Sequence, residues 1–443
     1  MSYLIKNADL ANFDDLSTKT VDILIEDGKF KKIEENLNPI DYPGATIINA
    51  NNMLAMPAFV DCHSHAAQSF IKGPLDDYPI TEWLRKLFLI EDEMTDEDAY
   101  WSTLLTCLSS FRFGTTTINE MNGYEHLDAT LQAFEDAGIR TTFGISITDL
   151  AENPETPITP LDKAMEMTED VYKKAHGRNN GLIRASVAPA GLPACSKTLT
   201  QALKKFANEH GLIYHTHLGE GKMETENVAR DYGLKGEAEA LYENGLLDEH
   251  TVLAHSIWLS DHELDLIKET GAVPIHCPNT NMKISDGIPK IAQMLQRGIP
   301  VCMGCDGEAS SSTRDMIREG KAGAYLQKAI TLDPTVMDAG TTFKMMTING
   351  AKALGYDDLG EVKVGNQADL ILVNTTDDLS LTDQDHRIGN FLYAGTGHAV
   401  DTVFCAGVLK LRNKKLQGFD EQKVIDKCNE LVHKLNQKIG EVK

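Results

Sequence analysis

Two histidines, His63 and His65, stand directly after the apolar run Ala58-Phe59-Val60-Asp61-Cys62. A turn after a strand can aim both rings of such a pair at one point, as a shared metal ion requires. Further along, His217 and His255 each close an apolar run, and Asp306 follows another. Imidazoles with one carboxylate suit a first-row divalent ion that keeps an open position for water. An ion so held lowers the pKa of its water to about 7. His255 could be a further ligand or could orient the attacking water. The second role is preferred, because His63, His65, His217 and Asp306 already fill a mononuclear shell. Glu220 follows His217 by three residues, where a loop carboxyl can carry a proton between water and substrate. The competing role for Glu220 is a solvent-facing glutamate at a helix start, favoured by the helix dipole. Any one strand-end histidine reads more readily as a hydrogen-bonded rim residue. The metal reading rests on all five groups falling at strand ends.

The elements that must position these groups form a βα rhythm. Eight short apolar stretches alternate with helix-patterned segments: Ala58–Cys62, Thr115–Asn119, Thr141–Ile147, Leu182–Ala188, Leu212–His217, Thr251–Ser256, Ala272–His276 and Ile299–Cys305. Eight such units in a row predict an α/β fold, a (β/α)8 TIM-type barrel over residues 57–359, with the active site at the carboxyl ends of its strands. The chain ends differ in character. Tyr3–Ile5, Val21–Ile25 and Lys29–Ile33 alternate around an Asp27-Gly28 turn. Ala368–Val373, Asp401–Cys405 and Val408–Leu411 alternate similarly around Ala406-Gly407. Residues 1–56 and 360–443 are therefore expected to form one small β-sandwich domain closed by a helix from about Glu421 to Val442. The stretch Ala151 to Pro160, with three prolines, reads as a long loop.

Composition narrows the class. The 443 residues carry 66 acidic and 42 basic side chains, a net charge of −24, which disfavours nucleic acid and anionic membranes. No run of eighteen apolar residues and no basic-then-apolar leader is present, so a soluble, cytoplasmic protein is expected. The eight cysteines are scattered and read as reduced. Cys302 and Cys305 form a CxxC, but within a buried-strand pattern that suggests structural thiols, not a redox pair. Strand four ends Ser186-Val-Ala-Pro189 without the lysine that bridges many binuclear barrels, so one metal is expected. The HxE with PCxxC signature of the base-flipping zinc deaminases is absent.

With these motifs the sequence resembles the amidohydrolase superfamily, in the branch of methylthioadenosine/S-adenosylhomocysteine deaminases, guanine deaminases and triazine hydrolases. The resemblance covers nearly the whole chain. It is carried by Met56-Pro-Ala-Phe-Val-Asp-Cys-His-Ser-His65, Thr216-His-Leu-Gly-Glu220, Leu253-Ala-His-Ser256, His276-Cys-Pro-Asn-Thr-Asn-Met-Lys283 and Gly304-Cys-Asp-Gly-Glu-Ala-Ser310. Asp22-Ile-Leu-Ile-Glu-Asp-Gly28 and Gly360-Glu-Val-Lys-Val-Gly-Asn-Gln-Ala-Asp-Leu370 also match. The resemblance implies His63, His65, His217 and Asp306 as ligands of one ion per chain, usually zinc and sometimes iron. It implies Glu220 as proton shuttle and His255 beside the catalytic water. It also implies Gln68, Trp83 and Glu91 as substrate contacts, and a homodimer. The departures concern specificity: Ala190 stands where nucleoside deaminases carry a histidine, and Ala309-Ser-Ser-Ser-Thr-Arg-Asp315 replaces a Ser-Asn-Asn stretch. The expected reaction is hydrolytic deamination of an amino-substituted nitrogen heterocycle such as a purine or adenosine-type nucleoside. The alternatives are a triazine-type hydrolase releasing chloride or an alkylamine, and an inactive binding barrel.

Overall fold

The computed structural model describes residues 2–151 and 155–441. The central strands lie in two parallel sheets. One carries Phe59–Ser64, Thr115–Asn122, Arg140–Ile147, Ile183–Ala185 and Ala188–Pro189. The other carries Tyr214–Leu218, Thr251–His255, Val273–His276 and Cys302–Met303. Parallel neighbours need crossovers, and helices such as Asp96–Arg112, Leu127–Ala137 and Leu161–Ala175 supply them. Helices pack against these parallel strands, which are buried on both faces. Hence Thr115–Asn122 is buried throughout, although it reads Thr-Thr-Thr-Ile-Asn-Glu-Met-Asn.

All eight expected strands are present, two of them altered. The fourth is broken between Ala185 and Ala188, and its last residue, Pro189, has no N–H for the ladder. The eighth is reduced to Cys302–Met303. The two sheets are stitched at one edge by Val187 N–H to Ile213 O (2.9 Å) and His215 N–H to Val187 O (2.8 Å). At the other edge Asp306 N–H donates to His63 O (2.8 Å). That last bond joins the first strand to the segment after the eighth, and it sits beside the histidine pair.

The chain ends share one nine-stranded sheet. Ser2–Ala11 pairs antiparallel with Thr18–Glu26, and parallel with both Thr46–Asn49 and Met53–Pro57. Met53–Pro57 then pairs with Leu370–Asn374, which joins Val400–Cys405 and Val408–Arg412. Tyr3 and Phe404 come from separated strands of this sheet, yet their rings meet at 5.0 Å. The Asp27-Gly28 turn has both residues at positive φ (50° and 76°), as a type I′ hairpin demands. A Cβ on Gly407 would lie 2.6 Å from Gly28 Cα, so glycine there lets the two terminal hairpins abut.

The terminal helix spans Glu421–Glu441; Val442 lies outside the described residues, as do residues 152–154 of the expected Ala151–Pro160 loop. This helix packs on Asp96–Arg112, with Lys427 Nζ 2.8 Å from Glu97 and Lys438 Nζ donating to Glu93 O at 3.0 Å. All eight cysteines are free and buried. Cys302 and Cys305 point to different partners, Pro274 O and Met316 Sδ, in keeping with structural thiols. Among the described residues no helix is long and apolar enough to cross a membrane.

Candidate active site

The strand ends bring His63, His65, His217, His255 and Asp306 to one place. Ligand atoms of His63, His65 and His217 lie within 4.8 Å of one another, as do those of His63, His255 and Asp306, and those of His217, Glu220 and His255. Asp306 Oδ1 is 3.3 Å from His63 Nε2 and 3.5 Å from His65 Nε2. Donors held at about 2.1 Å around a tetrahedral ion are about 3.4 Å apart, so these separations fit.

The outer ring nitrogens are all engaged. His65 Nδ1 donates to Met121 O (2.7 Å), His217 Nδ1 to Ala190 O (2.5 Å) and His255 Nδ1 to Asn281 Oδ1 (2.9 Å). His63 Nδ1 meets His215 Nε2 at 2.9 Å. The three bonds to oxygen fix the tautomer that leaves Nε2 as an inward lone pair, and His63 Nε2 is free in the same way when its Nδ1 donates to His215. The Nε2 atoms of His63 and His255 are buried without a hydrogen-bond partner. Buried polar atoms are normally satisfied, and a divalent cation bound among these residues would satisfy them. The donor set, its spacing and these orphaned nitrogens together fit such an ion.

Electrostatics agree. Burial holds His63, His65 and His255 below the usual imidazole range and takes His217 down to about 4, so the rings are neutral at pH 7 and free to offer a lone pair. Burial works to raise Asp306, but His63 and its neighbours keep its carboxyl well below the carboxylate range. Glu220 is pushed up to about 7, by burial first and then by Asp306 and Glu224, against the pull of His217. Its Oε1 is 3.5 Å from His255 Nε2. Glu220 precedes the helix Lys222–Tyr232 and lines the cavity, so it is not the solvent-facing glutamate of the competing reading.

A cavity of about 490 Å3 opens from the histidines. Gln68, Trp83 and Glu91 line it, as does Ala190. Trp83 and Leu87 face inward from the helix Ile80–Glu91 at i, i+4 spacing. Gln68 Nε2 donates to Glu91 Oε1 (3.3 Å), while Gln68 Oε1 and Trp83 Nε1 are buried without partners. A Cβ on Gly307 would overlap the Gln68 carbonyl oxygen, so the residue after Asp306 must be glycine for Gln68 to sit there. Burial raises Glu91 to about 7, with Glu125 and Asp92 adding to the effect.

Several residues that hold the site are not evident from the sequence. Arg314 is buried; it pairs with Asp61 and donates to Asp306 O (2.6 Å) and Ser64 Oγ (3.0 Å). Asp61 Oδ1 in turn accepts from Cys305 N–H (2.8 Å) and His63 N–H (3.3 Å). This pair locks the two segments that carry His63 and Asp306. His215 backs His63, and Asn281 backs His255. Their signals were an alternate-residue position two before His217 and an asparagine within the His276–Lys283 motif; neither names its partner. His255, Ser256 and Asp306 all sit at positive φ (69°, 51° and 64°). Such conformations cost of order 1 kcal/mol or more and gather at functional sites.

The model of the amidohydrolase family matches residues 54–410. The 5'-deoxyadenosine deaminase of Methanothermobacter thermautotrophicus is 33% identical over 405 residues, covering 91% of this chain and 92% of the relative. The 5-methylthioadenosine/S-adenosylhomocysteine deaminase of Pyrococcus furiosus is 32% identical over 425 residues, covering 96% and 98%. Among solved structures, an adenosine deaminase from Xanthomonas campestris with bound zinc superposes with a TM-score of 0.90 at 24% identity, over 98% of each chain; at that identity the likeness speaks for the fold. The match over most of the chain, with the histidines and Asp306 gathered as described, establishes that the chain belongs to the amidohydrolase family.

Proposed function

We propose that the chain hydrolytically deaminates an amino-substituted nitrogen heterocycle, such as a purine or an adenosine-type nucleoside. The observation that carries this reading is the gathering of orphaned histidine Nε2 atoms beside Glu220, a carboxyl held near neutrality. The relatives named as adenosine-type deaminases support the substrate class. In this reading His63, His65, His217 and Asp306 hold one divalent ion, zinc by analogy with the zinc-bound neighbour. Such an ion supplies Lewis acidity and makes water a nucleophile near pH 7.

The protein's own groups do the rest. Asp306 accepts a proton from the attacking water, and His255 Nε2, 4.0 Å from Asp306 Oδ2, keeps that water in place. The water oxygen bonds to the ring carbon that bears the amino group. Glu220 donates its proton to the adjacent ring nitrogen, so charge does not build up there. The added hydroxyl then gives its proton to Glu220 as the ring carbonyl forms and the C–N bond breaks; the departing nitrogen takes the proton that Asp306 accepted, directly or through Glu220, and ammonia leaves. Gln68, Trp83 and Glu91 orient the heterocycle from the cavity wall. Release of chloride or an alkylamine is the second reading, favoured by Ala190, which leaves its part of the wall without a polar side chain. An inactive barrel is disfavoured because donor atoms of His63, His65, His217, His255, Glu220 and Asp306 lie in overlapping clusters.

The reading extends to architecture. The two parallel sheets are taken as one closed (β/α)8 barrel over residues 57–359, supported by the hydrogen bonds at both sheet edges. Residues 1–56 and 360–443 are taken as a sandwich-like domain, supported by the Tyr3–Phe404 contact. A cytoplasmic location is supported by eight free thiols; a homodimer is carried by the resemblance alone. The test is ammonia release by metal-loaded protein from adenosine, methylthioadenosine, S-adenosylhomocysteine, guanine, cytosine, pterins and melamine. Ammonia from at least one of them supports the reading. Chloride or alkylamine release from triazines with no ammonia from any of them replaces it with the second.

A further inference from the structure

The cavity that opens from the histidines has an unusual charge balance. Glu91, Asp92 and Glu125 line it away from the metal-ligand cluster; Glu220, Glu224 and Asp306 line it near that cluster. Among the described residues no lysine or arginine lines it. His126 does, but its Nδ1 is 2.8 Å from Asp96. The rest of the wall mixes apolar side chains, Ile80, Leu84, Leu87 and Phe88 of the Ile80–Glu91 helix with Met167, and neutral polar ones such as Tyr124, Thr148 and Thr159. Two buried polar atoms face no partner there: Gln68 Oε1, which calls for a donor, and Trp83 Nε1, which calls for an acceptor. Both requirements are met by neutral groups such as hydroxyls and ring nitrogens.

An anionic substituent would fare badly in this space. It would lose water without gaining a cationic partner, and it would face carboxylates of its own sign. The chain's charge of −24 repels it before entry as well. We propose that the cavity admits heterocycles free of anionic groups, and that Glu91 and Glu125 enforce the exclusion. This rests on the deaminase reading above and narrows it: a substituent carrying a carboxylate or phosphate marks a compound that this chain does not process, whereas an uncharged one of the same size is accepted.

Matched acid and amide pairs isolate charge from size. The probes are adenosine 5'-carboxylate with its 5'-carboxamide, and adenin-9-ylacetate with adenin-9-ylacetamide, each assayed for ammonia release well above the titration of Glu91. In at least one pair kcat/KM for the amide is expected to exceed that for the acid by about thirtyfold or more. In the E91Q/E125Q double variant the ratio should fall to about threefold. Glu125 is exposed, so E125Q alone, with an intermediate ratio, serves if the double variant does not fold. An acid processed as fast as its amide overturns the exclusion and leaves the deaminase reading standing. A ratio unchanged in the variants overturns the assignment to Glu91 and Glu125. Ammonia from neither amide overturns this proposal; if the wider substrate panel also yields none, the deaminase reading fails too.

Discussion

Replacing Arg314 with methionine should be among the most damaging single changes in the chain. Arg314 is 2% exposed and Asp61 is fully buried. The substitution leaves the Asp61 carboxylate without its cation and removes the donors to Asp306 O and Ser64 Oγ. Breaking a buried pair by removing one partner costs about 3–5 kcal/mol, most of it from the charge left behind. Urea unfolding of the metal-free protein measures this without interference from the ion. Asp61 adds a pH signature. Burial raises its carboxyl above the usual value, with Arg314 opposing, so removing Arg314 raises it further. A carboxyl whose folded pKa lies above its unfolded value destabilises the fold as pH rises between the two. The loss in R314M should therefore be largest at neutral pH and shrink as pH falls toward the ordinary carboxylate range near 4. Adding D61N removes the stranded charge yet keeps an acceptor for Cys305 N–H and His63 N–H, so the double variant should recover at least about half the loss. A loss below about 1 kcal/mol, or one independent of pH, would refute the reasoning.

Glu91 gives a second linkage test. Its folded value of about 7 lies above the unfolded value, so it stabilises least above pH 7, and E91Q should gain about 1–3 kcal/mol on the parent between about pH 5 and pH 8 in urea unfolding of the metal-free protein. N281A frees His255 Nδ1 and should lower kcat by about ten- to a hundredfold with metal content unchanged; loss of the metal instead would make His255 a ligand. G307A displaces Gln68 and should raise KM by about tenfold with little change in bound metal, measured by kinetics and metal analysis together.

The central strands and the cluster of candidate ligands were legible because they are local. A strand buried on both faces leaves an uninterrupted apolar run, and a histidine at its end is visible in a single line of sequence. Thr46–Asn49 and Met53–Pro57 were not anticipated. Ile47 of the first is half exposed, and the second is nearly all buried without alternation, so neither shows a period of two. The break in the fourth strand was also hidden, although Pro189 marks where its ladder must stop. Pairing in the terminal sheet brings residues more than 300 positions apart together, and nothing in Met53–Pro57 points to Leu370–Asn374. Arg314 and Asp61 read as ordinary charged residues until the fold buries them against each other. The left-handed backbone at His255 and Asp306 is set by tertiary packing, so residue type gave no sign of it.

The most direct test of the account is the E220Q variant, compared with the parent for bound metal and for ammonia release from a substrate that the parent deaminates. Glu220 moves protons and binds no ion in this reading. The account therefore predicts one divalent ion per chain in both proteins, with turnover lowered by at least about a hundredfold in the variant. Full turnover in E220Q, or loss of the ion together with activity, would contradict it.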